Sequence, residues 1–356
     1  MIQTLNSFTL KETFCCTELP DKTILVTGNN FIKVFSLETY QEIKNIQSKK
    51  INYDSLIIPD ENLIFVVTSC GFERYSYPDF ALVKVYNSKL SVRCFCYLKS
   101  KNKLLFNGDD DLFSLDLKNS SLIKVKSIDF KSIQRILSSL AEDFVFSTGL
   151  NFSLVKSTTD SFKLDKSAEV FGYGTALLIK EDTGSILVGT DHGKLSEYSI
   201  SDLSLKRTTR ILGWWISKII RLSSGDIMTC SENGCVFLPF KDKTPIIERG
   251  GSKHSITELS DKTIACCDNE GVKILSLLNQ DCSIITTLES LSSNIDSIRN
   301  SSSDKKSQFV SLLQHHLIQL MTPVKYQPEN FTGLTLSLLP DLKYIQKSNC
   351  FEGSAE

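Results

Sequence analysis

The sequence predicts an all-β fold, a β-propeller assembled from repeated four-stranded units. Three observations support this prediction: short apolar, β-prone runs recur at a regular spacing, a polar turn precedes each run, and a second strand-like run follows it. Four short antiparallel strands in about 40 residues are typical of a propeller blade. One such unit cannot bury both of its faces alone, whereas units stacked in a ring bury them and leave few exposed sheet edges.

Each repeat contains two central strands. The first is an apolar run after a polar turn, and the seven runs are TILVTG from Thr23, LIFVVTS from Leu63, KLLFNG from Lys103, DFVFSTG from Asp143, SILVGT from Ser185, DIMTCS from Asp226 and TIACCD from Thr263. The second ends near positions that we align at Phe35, Tyr75, Leu115, Val155, Tyr198, Pro239 and Leu275. Successive positions in that series lie 36 to 43 residues apart, a regularity that indicates repeated structural units.

The two outer strands of each repeat and the closure of the ring follow from the flanking segments. A strand-like segment such as DSLIIP precedes each pair of central strands, and a weaker one such as QEIKNI follows it. Because a ring must be closed, IQTLNSFTL at the N-terminus is expected to supply an outer strand. The segment SIITTL, after the seventh repeat, is a competing candidate for the outer strand of that repeat.

The domain organisation places about seven repeats in residues 1–290. Residues 291–308 are Ser-rich and predict a linker or loop, and residues 309–356 predict a C-terminal extension or an additional blade. Seven blades is the preferred count, with eight as the alternative, since NIDSIRN, QFVSLL and HHLIQLM could form one more unit. Against eight, Phe309, Leu313, Leu317 and Leu320 have helical spacing.

The segment HSITELSDKTIACCDNEGVKILSL, from His254 to Leu277, resembles a WD repeat. The resemblance extends over residues 1–290 and is that of a divergent member of the WD-repeat family, because no repeat keeps the family's Trp-Asp pair and only Leu115-Asp116 keeps its aspartate. The resemblance implies a buried network in which His254 bonds Asp268 or Asn269 and stiffens the last blade.

Composition limits the class of protein. Hydrophobic residues make up 41% and charged residues 23% of the chain, values typical of a folded soluble protein, and a net charge of -1 gives no overall attraction for nucleic acid or anionic membranes. No apolar run is long enough for a transmembrane helix, and the N-terminus lacks the features of a signal peptide. Eleven cysteines, an odd number without a CxxC pair, lie mostly in apolar runs. We therefore expect reduced, buried thiols in a cytoplasmic or nuclear protein.

Three short motifs invite a catalytic or ligand-binding interpretation. The stretch from Asp182 to Ser185, DTGS, matches the aspartic-protease tetrapeptide, but that chemistry needs two facing carboxylates and only one copy is present, at a turn. The stretch from Gly189 to Lys194 is similar to a phosphate loop, yet its spacing is one residue short and a strand follows it. The acidic triplet at positions 109–111 lacks the alternating oxygen ligands of a calcium loop.

The histidines complete the search for catalytic or metal-binding residues. His192, His254, His315 and His316 have no metal-ligand spacing with cysteine, and no nucleophile–base motif occurs in the sequence. We therefore predict a non-catalytic protein without a cofactor, a metal site or a small-molecule ligand.

A basic and aromatic stretch between the fifth and sixth repeats is the candidate partner-binding site. It comprises Lys206, Arg207, Arg210, Trp214 and Trp215. Trp and Arg dominate binding hot spots, and the loops of a propeller face are its usual docking surface. The alternative interpretation is a Trp in the core with a solvated basic rim, since adjacent strand residues point to opposite faces.

The function predicted from these features is a non-catalytic protein-interaction scaffold, a WD-repeat subunit of a multiprotein complex with proteins docked on a propeller face. One alternative is a propeller hydrolase with its active site at the mouth of the channel. A third class is a propeller that binds RNA or phosphoinositides, for which the basic and aromatic stretch is the only support.

Overall fold

A computed structural model describes residues 2–87, 91–108, 111–125, 133–211, 215–231, 234–238, 246–249 and 253–277. The chain divides into two compact units, Met1–Asn279 and Gln280–Glu356, and the second lies outside the described residues, as do the predicted linker and the C-terminal extension. Across the described ranges the secondary structure consists of β-strands and two single 3-10 turns, Pro59–Glu61 and Glu181–Thr183. The prediction of an all-β fold is confirmed.

The strands follow one another at short intervals. In the first half of the described chain they are β1 (Ile2–Thr9), β2 (Thr13–Glu18), β3 (Thr23–Ser36), β4 (Glu42–Ile58), β5 (Leu63–Thr68), β6 (Gly71–Ser76), β7 (Leu82–Asn87), β8 (Phe95–Leu98), β9 (Lys103–Gly108), β10 (Asp111–Asp116), β11 (Leu122–Val125), β12 (Ile133–Ser138) and β13 (Phe144–Gly149). In the second half they are β14 (Ser153–Thr158), β15 (Leu164–Glu169), β16 (Gly174–Lys180), β17 (Ser185–Thr190), β18 (Lys194–Ser199), β19 (Leu205–Arg210), β20 (Ile216–Arg221), β21 (Ile227–Ser231), β22 (Gly234–Leu238), β23 (Ile246–Arg249), β24 (Lys253–Glu258), β25 (Ile264–Asp268) and β26 (Gly271–Leu277).

The strands form five four-stranded antiparallel sheets and one six-stranded sheet, which together hold seven four-stranded units. The six-stranded sheet contains two units because β3 and β4 are each long enough to supply two of the strands. Residues 42–51 of β4 pair with β3, whereas residues 52–58 pair with β5 of the next unit. Element β3 covers both central strands of the first unit, and the N–H of Leu37 after it reaches the carbonyl of Lys22 before it, at 3.3 Å.

The N-terminal strand completes the seventh unit. β1 pairs antiparallel with β26, so the four strands of that unit are ordered β1-β26-β25-β24. Both edges of β26 are therefore occupied, and the position for which SIITTL was a candidate is held by β1. The segment SIITTL itself lies outside the described residues.

The sheet register corrects our alignment of the repeats at two places. Tyr75, Leu115, Tyr198 and Leu275 each pair with the same position of the preceding central strand, as predicted. In the fourth and sixth units the equivalent residues are Ser157 and Leu238, which pair with Val145 and Ile227, instead of Val155 and the undescribed Pro239. Apolar character misled the alignment in the fourth unit, since the equivalent position there holds a fully buried serine.

A register shift recurs near the start of the first strand of the units. It occurs in six of them, at Thr13/Cys15, Asn52/Asp54, Ile133/Arg135, Gly174/Ala176, Ile216/Lys218 and Lys253/Ser255. In the third unit, at the corresponding place, Asn107 Oδ1 accepts hydrogen bonds from the N–H groups of Arg93 (2.8 Å) and Cys94 (3.1 Å). Bulges of this kind bend a strand and redirect the side chain that follows.

The hydrophobic core consists of seven separate clusters, each of which lies between two consecutive units. Between the second and third units, for example, the rings of Phe72 and Phe106 are 4.8 Å apart. The last cluster joins the seventh unit to the first, where Ala265 and Cys267 pack with Cys16 and Ile24. Both sheet faces are thus buried, which explains why central strands such as β5 are apolar throughout instead of alternating.

Carboxylates also link neighbouring units at the turns between first and second strands. Glu258, the last residue of β24, accepts hydrogen bonds from the N–H (2.6 Å) and hydroxyl (2.7 Å) of Ser223 in the preceding unit. Glu18, the last residue of β2, binds the N–H (2.8 Å) and hydroxyl (2.7 Å) of Ser260 in the seventh unit in the same way. The contact between the first and seventh units therefore has the same form as a contact between neighbours in sequence.

Candidate functional site

The two ends of the strands carry different surfaces. At the end that we name the crossover end, each fourth strand leads into the first strand of the next unit, and the second strand turns into the third. At the opposite end, the turn end, the first strand turns into the second and the third into the fourth. Because strands alternate in direction within every unit and the first strands of neighbouring units lie side by side, each end gathers the corresponding strand ends of the seven units.

Exposed aromatic side chains lie at the crossover end. Five large aromatic residues of the described ranges are exposed: Tyr53 (42%), Phe152 (47%), Phe171 (50%), Tyr173 (36%) and Trp215 (37%). Four of them occupy a link between units or a turn between second and third strands, and Tyr53 lies at the bulge where β4 passes from the first unit to the second; the turn end has none among its described residues. Exposed aromatics gathered on one surface are typical of a binding site for another macromolecule.

Three of these aromatics form one group on the fourth and fifth units. The rings of Phe152 and Tyr173 are 4.7 Å apart, and the ammonium group of Lys194 lies 5.4 Å from the centre of the Phe171 ring. The loop that holds them is fixed by Asp191, whose carboxylate accepts the N–H of Tyr173 at 2.9 Å.

Gly172 permits the loop to take this shape. Its φ is +114°, and a Cβ atom there would lie 2.5 Å from the Asp191 carboxylate, so both the backbone conformation and the available space require glycine. The motif FGYG at 171–174 is the sequence signal of this loop, and its aromatics have no basic residue beside them in the sequence to mark them as a binding site.

A groove of about 730 Å³ also opens at the crossover end, where the first unit adjoins the seventh. It is lined by the ends of β1 and β26 and by the turn between β25 and β26, with Glu12 and Asn29 on the other side. The crossover end therefore holds both the exposed aromatics and a concave surface.

The described residues of the predicted partner-binding site lie at different positions along one outer strand and the link after it. They belong to β19, a fourth strand whose side chains are all exposed, and to the link after it. Lys206 lies toward the turn end, where its ammonium group donates to Ser185 Oγ at 2.7 Å, and Arg207 pairs with Glu197 at 2.7 Å. Arg210 and Trp215 lie at the crossover end, and Trp214 is outside the described residues.

Of the two partners predicted for His254, Asn269 contacts it and Asp268 has other partners. The Nε2 atom of His254 lies 2.8 Å from Asn269 Oδ1. The buried Asp268 carboxylate instead accepts a hydrogen bond from the buried Lys253 at 2.8 Å, with Lys273 at 3.0 Å. Burial alone would raise the pKa of Asp268, but the hydrogen bonds from the two lysines outweigh it and hold the pKa below its ordinary value.

The motifs that invite a catalytic or ligand-binding interpretation lie in turns and strands, where two of their aspartates form ion pairs. Asp182 lies in a 3-10 turn and forms a two-bonded ion pair with Arg221, both contacts at 2.7 Å. Lys194 opens strand β18, and Asp111 pairs with Lys124 at 2.5 Å. Asp109, Asp110, His315 and His316 lie outside the described residues. Within the described ranges no cluster of His, Cys, Asp and Glu has the arrangement of a metal site, and no helix could span a membrane.

Comparison with solved structures bears on the fold. One match is the crystal structure of the extracellular domain of the putative hybrid two-component system BT4673 from B. thetaiotaomicron, with a TM-score of 0.66 and 15% identity over 78% of this chain. A second is the extracellular domain of the putative one-component system BT4673, with a TM-score of 0.64 and 15% identity over 76% of this chain. This chain spans 40% of the length of either neighbour, and at such low identity the similarity concerns the fold alone.

Comparison by sequence gives no relative. No protein-family model matches the chain, and neither does any curated protein. The resemblance to WD repeats therefore depends on the residues quoted for it.

The expectation of a cytoplasmic or nuclear protein is contradicted by the structural neighbours, both of which are extracellular domains. We withdraw that expectation. It depended on cysteines, of which nine lie in the described ranges, all without a disulfide and eight of them buried. A buried thiol behaves as a small apolar side chain, so its place in an apolar run reports packing and does not identify the compartment.

Proposed function

We propose that the seven units form a seven-bladed β-propeller that acts as a non-catalytic interaction module and binds a protein partner at the crossover end. The observation that carries the binding proposal is the location of all five exposed aromatics of the described residues at that end. A partner that buries Phe171 and Tyr173 would remove a large apolar area from water, which stabilises a complex by about 25 cal/mol for each Å².

The proposed ring is supported by the contacts between the first and seventh units. An apolar cluster and the Glu18–Ser260 hydrogen bonds join these units as they join neighbours, and β1 supplies the outer strand of the seventh unit from the N-terminus. The eight-bladed alternative would need another unit between the seventh and the first, where these direct contacts already occupy the interface.

The partner is expected to bind mainly through apolar and aromatic contacts. The crossover end offers exposed aromatic rings and the groove, and the net charge of the chain is -1. A nucleic-acid partner would favour a continuous basic surface, whereas Lys206 and Arg207 lie away from the exposed aromatics and have partners of their own.

The test is quantitative affinity capture from the source organism with variants at the two ends. Phe171→Ser and Tyr173→Ser remove aromatics from the crossover end, and Leu140→Ser removes an apolar side chain that is 86% exposed at the turn end. We expect the crossover-end variants to lose a stoichiometric partner that both the wild type and Leu140→Ser retain, with all variants equally folded by circular dichroism. Recovery of the same proteins by all four would refute binding at this end.

A further inference from the structure

A cavity of about 370 Å³ lies along the first strands and is lined by residues of all seven units. One residue from each unit, at the same register position, contributes to its wall. In six units this position pairs with the second-to-last residue of the second strand, and in the third unit Cys94, just before β8, bonds through its N–H to the side chain of Asn107. The seven residues, which we name the belt, are Cys15, Asp54, Cys94, Arg135, Ala176, Lys218 and Ser255.

Belt residues contact one another around the cavity. The thiol of Cys15 donates to Asp54 Oδ1 at 3.2 Å, and the ammonium group of Lys218 donates to Ser255 Oγ at 3.1 Å. Ser255 Oγ in turn donates to Cys15 Sγ at 3.8 Å. Side chains of the sixth, seventh, first and second units thus form a continuous chain of polar contacts.

Two cations face the cavity without a carboxylate partner. Arg135 and Lys218 lie on either side of Ala176, whose small side chain lets the Arg135 guanidinium reach across to the carbonyl of Ser217 at 3.2 Å. Among the described residues, no carboxylate forms an ion pair with either cation. The lining contains one carboxylate, that of Asp54, which accepts a hydrogen bond from the Cys15 thiol.

The remaining ionisable groups of the wall do not cancel this charge. Burial raises the pKa of the Cys15 thiol to about 11 and that of Cys94 to about 12, so both are neutral at neutral pH. Burial by itself would lower the pKa of Lys218, but Cys15 and Asp54 outweigh that effect and leave the pKa above its ordinary value. Arg221, farther along the wall, is already paired with Asp182. The belt therefore carries one net positive charge.

We propose that this belt binds a small oxyanion, a carboxylate or a phosphate group, between Arg135 and Lys218. A guanidinium and an ammonium that line the same cavity can provide directed, charge-assisted hydrogen bonds for such a group. Arg135 and Lys218 are partly buried and form no ion pair with a carboxylate of the described residues, and a partly buried cation without a counter-charge costs free energy that a bound anion relieves. The cavity volume is within the range of small-molecule sites, and the inference does not depend on the proposed function.

The test uses succinate and inorganic phosphate as probes, each compared with sodium chloride at equal ionic strength by isothermal titration calorimetry. We expect saturable binding of at least one probe to the wild type. Binding of succinate alone identifies a carboxylate site, and binding of phosphate alone identifies a phosphate site. Absence of saturable binding of either probe, while the protein is folded, would overturn the proposal.

Variants of the belt separate specific binding from general charge effects. Lys218→Met and Arg135→Met should each weaken binding about tenfold or more, whereas Lys166→Met, on an exposed outer strand, should leave the affinity unchanged. Asp54→Asn should instead tighten binding, because it removes the negative charge from the belt. Equal affinity in Lys166→Met and Lys218→Met would also overturn the proposal, and the gain expected of Asp54→Asn keeps it testable if a methionine variant does not fold.

Discussion

Glu18 and Ser260 are 242 residues apart in sequence, yet the Glu18 carboxylate accepts both the N–H and the hydroxyl hydrogen of Ser260, at 2.8 and 2.7 Å. Glu258 makes the same pair of bonds to Ser223 in the unit before it. The same pair of carboxylate–serine hydrogen bonds thus joins the seventh unit to the first and the sixth unit to the seventh. The equivalence of these two contacts makes the contact between the first and seventh units open to experiment.

Replacement of Glu18 by Ala should lower the free energy of unfolding by about 1 kcal/mol, since two partly exposed charge-assisted hydrogen bonds are lost. Glu258→Ala should cause a similar loss. Glu38→Ala changes an exposed residue outside these contacts and should have no measurable effect. Equilibrium urea unfolding compares the three. A destabilised Glu258→Ala with an unaffected Glu18→Ala would show that the contact between the first and seventh units does not form in solution.

The N-terminal strand should be essential for stability. Phe8 of β1 is 6% exposed and its ring lies 4.5 Å from that of Phe35, so Phe8→Ala should reduce the free energy of unfolding by about 3 kcal/mol through the lost burial and the cavity left behind. Leu5→Ala on the same strand, where the side chain is 50% exposed, is the matched control and should cost less than about 0.5 kcal/mol. Equal effects of the two substitutions would contradict the pairing of β1 with β26.

The Lys253–Asp268 pair predicts a pH-dependent stability. The pKa of Asp268 is held below its ordinary value in the folded protein, so its contribution is present above the unfolded pKa, about 4, and is lost as the pH falls through the folded pKa. Asp268→Asn, which leaves Lys253 buried without its counter-charge, should cost about 3 kcal/mol at pH 7.

The measurement is urea unfolding of wild type and Asp268→Asn between pH 7 and pH 2. We expect the difference in stability to shrink as the solution is acidified below about pH 4. A difference that stays constant over that range would mean that the carboxylate does not form the buried ion pair.

The cysteines of the described ranges should differ sharply in reactivity. Cys70 is exposed, whereas Cys15 and Cys94 are buried with raised pKa values and so are poor thiolates. In a native-state reaction with a chromogenic disulfide reagent at pH 8, Cys70→Ser should remove one rapidly reacting thiol. Cys15→Ser should leave the rapid phase unchanged, and a loss of that phase in Cys15→Ser would show that the cavity wall is open to the reagent.

The two ends of β19 should contribute differently to partner binding. Arg210 and Trp215 lie at the crossover end, whereas Lys206 is bonded to Ser185 toward the turn end. We expect Arg210→Glu to weaken partner binding several-fold and Lys206→Glu to have little effect, as measured by surface-immobilised binding of the captured partner. Equal weakening by both would favour a partner that lies along the outer strand.

Several features follow from the sequence without the tertiary structure. The periodic apolar runs predict the seven units and the all-β class, because runs such as LIFVVT can be buried only between two layers. The sequence also predicts that residues 2–10 supply an outer strand, and β1 does pair with β26 of the seventh unit. Local sequence patterns are sufficient to predict these strands because strand formation depends largely on the residue types within a short segment.

The tertiary structure decided which residues meet. Asp268 lies one residue from Asn269, yet it pairs with Lys253 while Asn269 contacts His254, a choice set by sheet register. Lys206 and Arg210, four residues apart, lie toward opposite ends because an extended strand separates them by about 13 Å along its axis. In the belt, Ser255 contacts Cys15, and this contact cannot be predicted from the spacing of the two residues in the sequence. Such contacts depend on how distant units stack, and the physical cause of that stacking is the burial of both sheet faces.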